Sequence, residues 1–176
     1  RGIVAKYLAL PQSRVNVKRS ILGGSFGGKD DIIDNIACRA ALLAHLTSRP
    51  VKISYNREQS MRESYKRHPY KMKYKIGLDD EARIQAIKVD IIADGGSYSG
   101  QTMFVTWRSS VQAAGPYNIP NVRVDVTGVY TNNNYTSAYR GYGAPQVIFA
   151  NESLMDEVAE AMGLSPVELR LRNILR

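Results

Sequence analysis

The 176-residue sequence has one cysteine, Cys38, and two histidines, His45 and His68. That excludes an internal disulfide and a cysteine-based metal centre, and makes a reducing, cytoplasmic compartment the expectation. No apolar run reaches the length of a membrane span, which leaves no membrane in the reading. Residues Arg1 to Leu10 have neither the long apolar core nor the cleavage pattern of a secretory signal. Repeats, low-complexity tracts and flexible linkers are absent too. The chain starts on Arg1 rather than Met and stops on Arg176, just after a helical pattern. It therefore reads as a segment of a longer polypeptide.

Hydrophobic residues make up 44% of the chain, an ordinary share for a globular protein. Net charge is +8. A basic chain invites a nucleic-acid reading, with basic residues interleaved with tyrosines between Lys52 and Lys75. Alternation argues otherwise for Tyr70 to Ile76. Tyr70, Met72, Tyr74 and Ile76 fall on one strand face, and Lys71, Lys73 and Lys75 on the other. A half-buried strand with a solvated lysine face follows, so nucleic acid is not the expected partner. A non-catalytic anion- or nucleic-acid-binding module stays as the alternative.

Punctuation by Gly and Pro divides the rest. The spacing predicts helices ending near Leu10, over 31–47, within 97–114, over 144–162 and over 165–175. In the second of these Ile33, Ile36, Ala37, Ala40, Leu43 and Ala44 form the expected apolar stripe, with Cys38 beside it in a structural role. A short helix or loop is expected over 57–64. Strands are expected over 15–22, 51–55, 70–78, 82–93 and 122–130, the third and fourth joined by a turn at Asp79-Asp80-Glu81. Pro145 suits a first helical turn, Gly163 a helix end and Ser165 an N-cap. The fold class is α+β, a mixed sheet with packed helices in one domain or two closely packed subdomains.

Two glycine-framed loops carry the chemistry. In Gly23-Gly24-Ser25-Phe26-Gly27-Gly28-Lys29-Asp30, placed between the strand expected at 15–22 and a helix, four glycines surround one aromatic. Bare backbone N–H groups in such a loop cradle anions. Gly23, Gly28 and Lys29 satisfy part of a nucleotide-binding P-loop, but Asp30 stands where Ser or Thr should ligate Mg²⁺, and Asp31 adds a second repelling carboxylate. A turn that binds nothing is the plain alternative. The second loop, Ala138-Tyr139-Arg140-Gly141-Tyr142-Gly143-Ala144-Pro145-Gln146, runs into a helix N-terminus. Arg140 could hold an anion and Tyr142 a ring, or the tyrosines could only anchor the turn.

Taken together and in this order, the two loops resemble the xanthine dehydrogenase and aldehyde oxidase family of molybdenum hydroxylases, whose patterns are G-G-G-F-G-G-K-E and A-[FY]-R-G-[FY]-G-x-P-Q. Arg67-His68-Pro69, Tyr117-Asn118-Ile119-Pro120-Asn121 and the Ser165 to Asn173 segment match shorter motifs of the family. The resemblance covers nearly the whole chain. It implies residues 1–176 as part of the molybdenum cofactor-binding domain of a large subunit. Gly24, Phe26, Gly27, Arg140 and Gly141 would then contact the cofactor, with the backbone at Phe26 and Arg140 beside the metal. Asp30, Arg108 and Tyr142 would contact substrate.

The implied reaction hydroxylates an N-heteroaromatic or aldehyde carbon with oxygen from water. The implied cofactor is a molybdenum–molybdopterin, possibly as a dinucleotide. Iron–sulfur clusters and FAD would sit on other domains or subunits, and the rest of the large subunit would be a partner. The family's general-base glutamate lies downstream of these motifs. None here matches its context; Glu152, Glu157 and Glu160 read as a solvated helix face. No catalytic residue is therefore assigned in this chain, and the isolated segment is expected to be inactive. Ser25 for Gly, Asp30 for Glu and Tyr142 for the usual Phe depart from the family pattern.

Overall fold

The computed structural model describes residues 1–30 and 32–176 and divides the chain into two units, residues 1–65 and 66–176. No helix among the described residues is long and apolar enough to cross a membrane.

The first unit is helical. It holds α1 (Gly2–Tyr7), a 3-10 turn (Gln12–Arg14), α2 (Ile32–Thr47) and α3 (Arg57–Glu63). Asp31, the expected first residue of α2, lies outside the described residues. Ala5 of α1 and Cys38 of α2 are buried. The expected α2 stripe holds in part: Ile36, Ala37, Ala40 and Ala44 are half-buried, but Ile33 and Leu43 remain 54% and 46% exposed, beside the buried Cys38. Asn56 starts α3 with a reciprocal capping box: its side chain accepts from Gln59 N at 2.8 Å, and Gln59 Oε1 accepts from Asn56 N at 3.0 Å. The strands expected at 15–22 and 51–55 do not form. Strands need a partner ladder, and the described residues of this unit form none. Val17 and Ile21 stand in the open, Ile21 completely.

The second unit is built on a three-stranded mixed sheet. β1 (Tyr70–Leu78) pairs antiparallel with β2 (Ile84–Asp94), and β2 pairs parallel with β3 (Asn121–Val129). The parallel pair is joined through α4 (Thr102–Gln112); α5 (Ala144–Ala161) and α6 (Pro166–Asn173) follow. The alternation expected of β1 holds: Tyr70, Met72, Tyr74 and Ile76 are half-buried and the three lysines exposed. The inner sheet face, with Ile87, Val89 and Ile91, packs on Ala113 and on Val147 of α5. A second cluster joins Ala82, Ile84, Tyr117, Met155, Ala159 and Leu169.

The outer face puts Lys75, Lys88 and Arg123 side by side across all three strands. Ion pairs along the strands, Lys88 to Asp90 at 3.4 Å and Arg123 to Asp125 at 2.8 Å, offset this row.

At the hairpin turn Asp79 Oδ1 accepts from the N–H groups of Glu81 and Arg83 at 3.0 and 2.8 Å. Ala82 takes a left-handed conformation, φ 60°, and is buried, so β2 begins two residues later than its sequence pattern. The segment resembling the family's closing helix anchors the fold here. Asn173 Oδ1 accepts from Ile84 N at 2.8 Å, and its Nδ2 donates to the carbonyls of Ala82 and Leu169, both at 2.9 Å.

Arg170 donates to Glu152 Oε2 and Asp156 Oδ1, both at 2.7 Å. Burial opposes the Arg170 charge, but the two carboxylates outweigh it and hold the guanidinium firmly protonated. Tyr117 donates to Glu152 Oε1 at 2.7 Å. Burial, and then the Glu152 carboxylate, push its hydroxyl pKa up to about 12. Glu152 is thus a half-buried structural acceptor, not the solvated residue expected; Glu157 and Glu160 are exposed.

Candidate cofactor and substrate site

In the first unit the glycine loop follows a segment without strand pairing, which removes the strand–loop–helix context that a P-loop requires. Its backbone is left-handed at three of four successive positions: Gly24 at φ 121°, Phe26 at 51° and Gly27 at 89°. The Phe26 ring lies over Gly24, where a Cβ would come within 2.7 Å of it. Phe26 itself is 66% exposed. A non-glycine residue held in this region costs about 1 kcal/mol or more and marks a backbone shaped for a purpose. Gly28 N donates to Ser25 O at 3.0 Å and closes the turn.

Two departures from the family pattern meet here. Ser25 Oγ donates to Asp30 Oδ1 at 2.8 Å. The serine in place of the third glycine holds the carboxylate that is one methylene short.

In the second unit the Arg140 loop is fixed from several sides. Tyr142 N donates to Tyr139 O at 2.7 Å, and Ala144 N to Gly141 O at 3.0 Å. Gly141, Tyr142 and Gly143 all have positive φ, at 89°, 51° and 93°. At Gly143 a Cβ would lie 2.4 Å from Val105 O and 2.5 Å from Ser109 Oγ, so glycine alone lets the start of α5 sit against α4. Pro145 stands in the first turn of α5 as its fixed φ favours.

Arg67 reaches back to this loop. Its Nη2 donates to the Arg140 carbonyl at 2.7 Å, and its guanidinium carbon lies 4.8 Å from the centre of the Tyr139 ring. Neighbouring His68 is 2% exposed, with Nε2 2.9 Å from Thr102 Oγ1. Burial lowers its pKa to about 4, against a smaller opposing pull from Asp94, so the imidazole is neutral. Gln146 Nε2 donates to His68 O at 3.2 Å. The Arg67-His68-Pro69 motif is therefore the brace of the Arg140 loop, a role that only the fold reveals.

Tyr142 hydroxyl donates to Gln101 Oε1. Gln101 is the N-cap of α4, and Arg108 stands seven residues on, two turns along the same helix face. The hydroxyl that separates Tyr142 from the usual Phe thus has a partner in this chain. Arg108 is exposed, as are Phe104 and Trp107 on the same helix.

Arg140, Gly141 and Tyr142 form one loop of the second unit, tied through Gln101 to the start of the helix that carries Arg108; Gly24, Phe26, Gly27 and Asp30 form one loop of the first. Among the described residues no group of three or more His, Cys, Asp or Glu side chains is arranged to hold a metal ion. What both loops offer is backbone in left-handed conformation framed by glycine. That donor set suits a metal carried by an organic, anionic cofactor and gripped through main-chain groups.

Comparison with known proteins agrees. A family model described as "Molybdopterin cofactor-binding domain" matches residues 1–174. The nicotinate dehydrogenase large molybdopterin subunit of Eubacterium barkeri is 43% identical over 173 residues, covering 98% of this chain and 40% of that protein. The aldehyde oxidoreductase of Megalodesulfovibrio gigas is 36% identical over 174 residues, 99% of this chain and 19% of the relative. Among solved structures, quinoline 2-oxidoreductase from Pseudomonas putida 86 superposes with a TM-score of 0.87 at 28% identity, over 99% of this chain and 22% of that one. The chain thus spans less than half the length of these relatives. It belongs to the molybdopterin cofactor-binding domain family.

Proposed function

We propose that this chain is part of the molybdenum site of a hydroxylase that oxidises an N-heteroaromatic or aldehyde substrate with water-derived oxygen. The carrying observation is the pair of loops whose backbone is held left-handed at Gly24, Phe26, Gly27, Gly141 and Tyr142. Main-chain groups at Gly24, Phe26, Gly27, Arg140 and Gly141 hold the molybdenum–molybdopterin, in plain or dinucleotide form. When bound, the cofactor supplies the oxygen transfer and takes up the electrons released.

This chain's residues bind and orient. Asp30, steadied by Ser25, accepts from a substrate N–H. Arg108 donates to a substrate acceptor, and Tyr142 packs on the ring with its hydroxyl held by Gln101. The general base comes from polypeptide outside residues 1–176, so the chain alone does not turn over. Its partners are the remainder of a large subunit and the iron–sulfur and FAD domains or subunits that carry electrons away, in a cytoplasmic enzyme. Relatives of which this chain spans 40% or less support that reading.

The test is Asp30→Ala in the parent enzyme, assayed on a panel of heteroaromatics and aldehydes. A fall in kcat/KM for the ring substrates that can donate an N–H is expected. Unchanged kcat/KM across the panel removes Asp30 from the site.

A further inference from the structure

We propose that Phe104 and Arg108 of α4 make the substrate site selective for a planar heteroaromatic carboxylate. The inference rests on the hydroxylase reading, which puts Arg108 and Tyr142 against substrate, and narrows its substrate class.

Gln101, Phe104 and Arg108 recur at helical spacing and share one face of α4, counted from its N-cap. The Tyr142 hydroxyl is tied to the first of them. Arg108 stands roughly 10 Å farther along the axis, at about 1.5 Å per residue. Phe104 lies between, one turn before Arg108, and is 55% exposed. Packing within this unit does not use its ring: the buried positions of α4 are Thr102, Val105 and Ser109. A ligand on this face thus meets an aromatic ring at Tyr142, a second at Phe104 and a guanidinium beyond them.

The charge at the far end is not neutralised by its own unit. Among the described residues Arg108 takes part in no ion pair and no side-chain hydrogen bond. Over residues 95–151 the only acidic side chain is Asp125, which pairs with Arg123 on the outer sheet face at 2.8 Å. The stretch that supplies α4 and the Arg140 loop therefore brings Arg108 and Arg140 to this end of the unit without a carboxylate to match them.

A guanidinium presents a rigid fork of N–H donors that fits a carboxylate with two parallel hydrogen bonds. A monoanion conjugated to a flat ring meets every element of the face. Its carboxylate takes Arg108, and its ring lies along Phe104 towards Tyr142, within the roughly 10 Å that separate the ends. An aliphatic aldehyde uses neither the ring contacts nor the charge, and a neutral heterocycle leaves the charge unmatched.

The experiment measures binding of imidazole-4-carboxylate and imidazole-4-carboxamide to the parent enzyme by titration calorimetry, at a pH where the ring is neutral. The probes share ring and shape and differ in charge. The carboxylate should bind at least about tenfold more tightly, the margin of a charge-assisted pair over a neutral hydrogen bond. Arg108→Gln should erase that preference, and Arg108→Lys should keep part of it. Phe104→Ala should weaken both probes by a similar factor. Failure of the carboxylate to bind, equal or tighter binding of the carboxamide, a preference that survives Arg108→Gln, or unchanged affinities in Phe104→Ala overturns the proposal. The comparison of probes uses the unaltered enzyme and decides the matter even where a variant fails to fold. An enzyme that holds molybdenum and turns over neutral heterocycles without preferring the carboxylate overturns this inference alone and leaves the hydroxylase reading standing.

Discussion

Arg67 Nη2 donates to the carbonyl oxygen of Arg140 across 2.7 Å of space and 73 residues of sequence. This contact turns a glycine-framed loop into a fixed one. Arg67→Ala should destabilise the second unit by about 1.5–3 kcal/mol, as loss of a charge-assisted hydrogen bond does. It should also speed amide exchange at Tyr142 and Ala144. Exchange rates unchanged from wild type would show that Arg67 does not brace the loop.

Tyr142→Phe restores the family's usual residue and removes the donor to Gln101 Oε1. A cost of about 1 kcal/mol in denaturant unfolding is expected, as is usual for one hydrogen bond. Gln101→Leu should cost a similar amount, and the double variant no more than either alone. Additive losses in that cycle would mean that the two side chains are not coupled.

Gly143→Ala places a Cβ within 2.5 Å of both Val105 O and Ser109 Oγ, at a φ of 93°. Backbone strain and overpacking each cost about 1–3 kcal/mol. A melting temperature lowered by several degrees is the expected result. Gly163→Ala is the control: its φ is 66°, but a Cβ there meets no atom within 4 Å, so its cost should be smaller.

His68 makes stability depend on pH. Its folded pKa, about 4, lies below the ordinary value of 6.5, so the unfolded chain binds the proton more readily. Its full contribution is therefore present above pH 6.5 and declines as pH falls through that value towards 4, by about 3 kcal/mol in all. Urea midpoints measured across that window should fall with pH in the wild type and less steeply in His68→Gln. Parallel slopes would remove His68 as the cause.

Much of the second unit was legible in the sequence, because periodicity and local chemistry agree there. The Tyr70 to Ile76 alternation, the Asp79 turn, Pro145 and the Ser165 cap all act over a few residues. Residues 15–22 show the limit. Their apolar content suits a strand, but a strand forms only against a neighbour, and Ile21 is left wholly exposed. Glu152 failed as a solvated residue because its acceptors serve Tyr117 and Arg170, 35 and 18 residues away. The two loops could be found from their glycines; the pairing of Ser25 with Asp30, and of Tyr142 with Gln101, could not. Those contacts depend on where the backbone turns, and two of the turning positions, Phe26 and Tyr142, are not glycine.

The central claim is that main-chain groups of the glycine loops hold a molybdopterin. The most direct measurement is the molybdenum and pterin content of the purified parent polypeptide, with and without Gly24→Val. At that position φ is 121° and the Phe26 ring occupies the space a side chain would need. Stoichiometric molybdenum and pterin in the wild type, with both sharply reduced in a variant that keeps its far-UV circular dichroism, is the result expected. Only trace molybdenum in the wild type, or full occupancy in Gly24→Val, would contradict the account.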